Sequence, residues 1–133
     1  MSFINRHTSL FNSLKTYCNT KSYGCFKSEG EIRNADKFPA VGLFLGFPII
    51  SNESSAFIPL SYHYMLVVMD LYTIDESTSE YSALSNTYDK LVDIVETMKY
   101  DLEDAIEPFT LINENEGSFM TGWITTISVY DNL

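Results

Sequence analysis

Basic residues are scarce. Lys and Arg number 8 against 18 Asp and Glu, so the 133-residue chain carries a formal charge of −10. Proteins that bind nucleic acid without sequence preference gain affinity by neutralising phosphates and need a basic surface. The composition argues against that role. Cysteine is scarce too. Cys18 and Cys25 are separated by six residues, a spacing that matches neither the usual zinc nor the usual redox motifs. One bridge could join them, but one bridge is not a disulfide framework, and two reduced thiols are expected. The only histidines are His7 and His63. Neither has an Asp, Glu or Cys at a spacing that would build a catalytic or metal centre, and His63, between Tyr62 and Tyr64, is expected in the core or at an interface. Long apolar runs are missing. Phe38–Asn52 and Ser54–Met69 lack charge but are broken by Pro, Gly or Ser, and neither supplies the ~20 apolar residues that span a bilayer. The stretch from Met1 to His7 has no apolar signal core. A soluble protein made inside the cell, without a membrane partner, is expected.

Other routes to catalysis are equally thin. Gly42 and Gly46 lie four apart in a strand pattern, not in a phosphate-cradling loop ahead of a helix. Cys18 sits at a helix C-terminus, away from the positive field that activates thiolates at helix N-termini. Asp70 interrupts an apolar strand and reads as a strand-end residue facing water rather than a buried functional carboxylate. The nine tyrosines fall on strand faces and along a helical seam, as core and subunit contacts would. No catalytic, cofactor-binding or metal-ligating residue is assigned, and no cofactor is expected.

What is present is a globular composition, 45% hydrophobic and 20% charged. It suits a single domain over residues 1–133, long enough to bury roughly two thirds of its unfolded surface. Phe3, His7, Leu10, Phe11, Leu14 and Tyr17 recur at helical spacing after Ser2, predicting a helix from about Phe3 to Cys18. Asn19–Lys37 is polar and punctuated by Gly24 and Gly30. It is expected either as two short strands, Tyr23–Lys27 and Glu31–Asn34, or as an irregular arm. Ala40–Phe47 reads as a buried strand ended by Pro48, with a hairpin loop over Ser51–Ser55. Phe57–Ile74 holds the strongest strand signal, Tyr62–Tyr72. Met65, Val67, Met69 and Leu71 alternate with Tyr62, Tyr64, Leu66, Val68 and Tyr72. Both faces are apolar, so one must meet helices and the other more chain or another subunit.

Tyr81, Leu84, Tyr88, Leu91, Val95, Met98 and Leu102 step by three and four, predicting a long amphipathic helix from about Ser79 to Ala105. Its other face carries Asp89, Asp93, Glu96, Lys99, Asp101, Glu103 and Asp104. Phe109–Ile112 and Phe119–Tyr130 complete a hairpin around Asn113–Gly117. The expected class is α+β, with a mostly antiparallel sheet packed against an N-terminal helix and one long amphipathic helix. Charge divides along the chain. Residues 1–38 hold six basic residues and three acids, whereas residues 70–107 hold eleven acids and two lysines. Opposite charge on two parts of one chain suits head-to-tail contacts between copies. A concentrated acidic face also suits an inhibitor that imitates DNA and occupies a host nucleic-acid-binding protein.

The order of elements, with Pro39-Ala40-Val41 opening a strand, Val67-Val68-Met69-Asp70-Leu71-Tyr72 closing the next, a Ser/Thr-rich turn into a long helix over Ser77–Ala105, and a final strand Trp123–Tyr130 rich in threonine, resembles the tail-terminator and head–tail joining proteins of long-tailed bacteriophages. Asn19–Lys37 departs from that pattern. The resemblance implies a non-enzymatic virion protein, made in the host cytoplasm, that assembles into rings of six subunits or a multiple. Such rings cap the tail tube and bind other tail and neck proteins. DNA passes through the lumen without sequence-specific binding, and an acidic wall would not hold its phosphates. On this basis Met65, Val67, Met69 and Leu71 are the expected subunit interface. Lys21, Tyr23, Lys27, Arg33, Asn52 and Glu53, in the longest polar connections, are the expected partner contacts.

Overall fold

A computed structural model of the chain describes residues 3–50, 60–73, 77–115 and 117–131. In chain order these form α1 (Phe3–Lys21), β1 (Gly24–Phe26), α2 (Glu29–Arg33), β2 (Ala40–Ile50), β3 (Leu60–Tyr72), α3 (Ser77–Met98), β4 (Asp101–Leu102), β5 (Glu107–Asn113) and β6 (Ser118–Asp131). The class is α+β with a mostly antiparallel sheet. Strands run β1-β2-β3-β6-β4 across it, and β5 shares the outer side of β6 with β4. Only β1 against β2 is parallel. The long pair β3–β6 matches Leu60 with Asp131 through Tyr72 with Phe119 without a register break.

The two faces of β3 separate as its alternation requires. Tyr64, Leu66 and Val68 point to one face with Val41, Leu43 and Ile127. There α1 (Phe11, Leu14, Cys18) and α3 (Leu91, Ile94) close the main core. Trp123, on the same face of β6, donates its indole N–H to the Leu84 carbonyl at 2.7 Å and meets Tyr88 edge-on. Tyr17 of α1 donates its hydroxyl to Asp93 of α3, joining the two helices. Tyr81, expected on the buried seam, stands 74% exposed, and Thr87 and Ile94 are buried instead. The Thr87 hydroxyl bonds back to the Ala83 carbonyl at 2.6 Å, which lets a polar residue take a core position.

Both long helices end the same way. Ser22 and Lys99 adopt left-handed backbone angles, φ 63° and 57°. The N–H of the tyrosine that follows each reaches back to a carbonyl five residues earlier, Tyr23 to Cys18 at 2.8 Å and Tyr100 to Val95 at 3.0 Å. The left-handed residues bond Asn19 and Glu96 at 3.2 and 3.3 Å. These are Schellman closures, and each turns an aromatic ring back onto the helix it ends. The second corrects the expected helix end at Ala105. The chain leaves α3 at Met98, so Asp101 and Leu102 pair with Ser128 and Ile127 of β6, and Leu102 is 48% exposed rather than part of the helical seam.

Within Asn19–Lys37 the first of the two expected strands, Tyr23–Lys27, is present as β1, but the second, Glu31–Asn34, is replaced by a helix, and the segment is not an irregular arm. Gly24–Phe26 pairs with Ala40–Gly42, while Glu29–Arg33 is a helical turn capped by Ser28. The Ser28 hydroxyl accepts the Glu31 N–H at 3.1 Å, and the Glu31 carboxylate accepts the Lys27 N–H at 2.7 Å. Pro48 does not end β2 but lies within it, where the register shifts between Leu45 and Pro48. Such an irregularity is where a strand tolerates a residue without an N–H.

Candidate assembly surface

Among the described residues, the second face of the sheet is covered over part of its extent only. Its cover is α2 and the segment from Asn34 to Pro39. Ile32 and Ala35 are fully buried against Ala40, Val67, Met69 and Met120. The cover is fastened to the β5–β6 hairpin. Asn113 donates its side-chain amide to the Ala35 carbonyl at 3.0 Å, the Glu114 N–H donates to the Arg33 carbonyl at 2.7 Å, and the Asn115 amide donates to the Asn34 carbonyl. Under it the sheet is tightly packed at position 42, where a Cβ would lie 2.7 Å from the Phe44 ring and 3.3 Å from Ile32 Cδ1, so those side chains would have to shift to admit one.

This cover divides the expected subunit interface. Met65, Val67, Met69 and Leu71 do share one face, but Val67 and Met69 are fully buried by the chain's own α2 and following segment. They have no surface left for another subunit. Leu71 is half-buried. Met65, beyond the cover, is 43% exposed in a strand whose neighbours Tyr64 and Leu66 are buried. Beside it lies a groove of about 530 Å³ lined by Met65, Ile124 and Thr126, with Asp104 and Glu107 on its rim. Phe44 and Ile124 are half-buried on this face. The surface therefore mixes apolar side chains, Met65, Phe44 and Ile124, with threonines and with carboxylates at the β4–β5 side.

The expected partner contacts sort differently. Asn52 and Glu53 lie outside the described residues, as does the Ser51–Ser55 loop. Lys21 is exposed in the last turn of α1, its ammonium 5.9 Å from the Tyr17 ring centre. Tyr23 is not a free contact. It packs on the main core, edge-on to Tyr17 at 6.4 Å, and burial, with Asp93 nearby, pushes its hydroxyl pKa up. Lys27 is exposed with its ammonium 5.0 Å from the Phe11 ring. Arg33 is half-buried and pairs with Glu29 at 2.9 Å. Lys27 lies beside β1 at the edge of the sheet opposite β4, whereas Arg33, at the end of α2, lies beside the β5–β6 hairpin, where its carbonyl accepts the Glu114 N–H.

Cys18 and Cys25 are free. They share a hydrogen bond that, with burial, raises the Cys18 thiol pKa, and the same hydrogen bond lowers that of Cys25 against the opposing effect of burial. Asp70 is half-buried and accepts the Leu71 N–H at 2.8 Å, but desolvation outweighs that bond and raises its carboxyl pKa. His63 is half-buried on the second face, in register with Ser128. Among the described residues, no three His, Cys, Asp or Glu side chains gather closely enough to hold a metal ion. No described helix is long and apolar enough to cross a membrane. Compared with models of known protein families and with curated proteins, the chain matches none.

Proposed function

We propose that this chain is a structural subunit of a ring at the tail end or neck of a long-tailed bacteriophage. The ring, of six copies or a multiple, joins the tail tube to the head and surrounds the DNA conduit. Its work is binding rather than catalysis, and its partners are further copies of itself and the neighbouring tail and neck proteins of the virion. The observation that carries this reading is the incomplete cover of the second sheet face. Met65 stands 43% exposed between the buried Tyr64 and Leu66, beside a groove lined by Ile124 and by the carboxylates Asp104 and Glu107. A subunit contact removes such a patch from water, and a head-to-tail contact that closes into a ring does so for every copy. The net charge of −10 suits a wall past which DNA slides without being held.

A second reading has one observation of its own. Asp89 and Glu96 are exposed on α3, as an acidic mimic of DNA that occupies a host nucleic-acid-binding protein would require. Electron micrographs of particles assembled without this protein separate the two. The ring reading expects heads and tails that fail to join. Intact, joined virions, with the purified protein bound to a basic host protein, would replace it with the inhibitor.

A further inference from the structure

We propose that the acidic surface beside Met65 docks into a basic groove on the opposite edge of the sheet in the next copy. This inference rests on the ring reading and names the two surfaces that meet. The groove, of about 670 Å³, runs along β1 between α1 and α2. Phe11, Cys25 and Phe26 lie in its wall with Lys15, Lys27 and Glu31. The carboxylates of this region are engaged. Glu29 pairs with Arg33 at 2.9 Å, and Glu31 accepts the Lys27 N–H at 2.7 Å. Lys15 and Lys27 are exposed and have no carboxylate partner among the described residues.

The complementary surface lies at the other edge. From Asp101 to Glu107 the chain presents Asp101, Glu103, Asp104 and Glu107, all exposed, in seven residues. Asp104 and Glu107 belong to the same groove as Met65 and Ile124, so charge and apolar surface are continuous there. Each side therefore combines apolar side chains with charge, a basic excess in the groove (Lys15 and Lys27 against Glu31) and carboxylates at the opposite edge. The match is lysines around Phe26 against carboxylates around Met65.

Within one molecule the two surfaces cannot meet. β1 is the first strand of the sheet order and β4 the last, four strand spacings or roughly 19 Å apart. The contact is therefore heterologous, using a different patch on each partner, and it is satisfied everywhere only when the chain of copies closes.

Light scattering on the full-length protein and on two charge-swapped variants tests this. Lys15→Glu with Lys27→Glu inverts the groove, and Asp104→Lys with Glu107→Lys inverts the opposite edge. All four residues are exposed, and circular dichroism checks that each variant is folded. Each variant alone should fall from the ring mass to that of one chain, 15.2 kDa. An equimolar mixture should recover the ring mass, because each inverted surface then meets its inverted counterpart. If the native protein forms a ring and either folded variant keeps the full ring mass, the docking is wrong while the ring reading stands. If both variants are monomers and the mixture stays monomeric, the two surfaces do not face one another and the docking is likewise wrong. A native protein that is itself monomeric would remove the ring reading and this inference together.

Discussion

Replacing Gly122 with alanine adds one carbon where the structure has no space for it. Gly122 faces Met69 across the β3–β6 ladder. A Cβ there would lie 1.8 Å from the Val68 carbonyl oxygen and 2.8 Å from Met69 Cα, whereas real Cβ contacts essentially never fall under 3.0 Å. The obstacle is backbone, so no rotamer change relieves it, and β3 must move by about 1 Å relative to β6. Two ladder hydrogen bonds would be strained, at about 1 kcal/mol each. Overpacking adds about 1–3 kcal/mol. The stiffer unfolded chain returns about 0.4–1 kcal/mol. The net loss is about 2–4 kcal/mol out of the 5–15 kcal/mol typical of a domain, or a fall in melting temperature on the order of 10 °C at this length. Gly42→Ala is the control. Its Cβ would meet the Phe44 ring and Ile32 Cδ1, side-chain atoms that can give way, and it should cost about 1 kcal/mol. Thermal melts of both variants, followed by circular dichroism at matched concentration, decide the matter. A Gly122→Ala protein that melts within about 3 °C of the native one would refute this account of the β3–β6 contact, as would a larger fall for Gly42→Ala.

Lys99→Gly should raise stability by about 0.5–1 kcal/mol in a urea titration, because it relieves a left-handed residue at the end of α3 that glycine adopts without steric cost. The Tyr100 hydroxyl is buried without a hydrogen-bond partner among the described residues, so Tyr100→Phe should be neutral or stabilising by about 1 kcal/mol at pH 7. Tyr100 also contributes to the alkaline limb, alongside Cys18, Tyr17 and Tyr23, whose pKa values are raised as well. Burial raises its pKa above the ordinary value near 10, so the unfolded chain loses this proton first. The stability it confers is complete below pH ~10 and lost as pH rises beyond that. Melting temperature should therefore decline above pH ~10 and decline less steeply in Tyr100→Phe; equal slopes would contradict the assignment.

The strand faces were legible because alternation is a strict signal. Tyr64, Leu66 and Val68 separate from Met65, Val67 and Met69 in the sequence as they do in the fold. The helical seam of α3 was legible through Leu84, Leu91, Val95 and Met98. Its end was not, since the left-handed residue that stops it is lysine rather than glycine, and the apolar spacing carries on by chance to Leu102. The Ser28-Glu29-Gly30-Glu31 pattern is a helix-start signal that Gly30 obscured, because an isolated glycine reads as a breaker. That one short helix decides the candidate surface. It hides Val67 and Met69 and leaves Met65 outside, a distinction the strand's own pattern cannot carry because all three residues share a face. The crowding at Gly122 has no sequence signal, since it arises from the neighbouring strand's backbone.

The central claim, that the uncovered end of the second sheet face is a subunit contact, is tested most directly by comparing the native protein with Met65→Asp and Leu66→Asp by light scattering and circular dichroism. Leu66 is fully buried under the helices. Its replacement forfeits about 3–5 kcal/mol of packing and buries a carboxylate as well, and the domain should unfold. Met65 is 43% exposed, so aspartate there should leave the fold intact while placing a charge in the contact. The account predicts a native assembly that is a multiple of 15.2 kDa, an unfolded Leu66→Asp chain, and a folded Met65→Asp monomer. A native protein that stays monomeric at high concentration, or a Met65→Asp variant that keeps the full assembly mass, would contradict it.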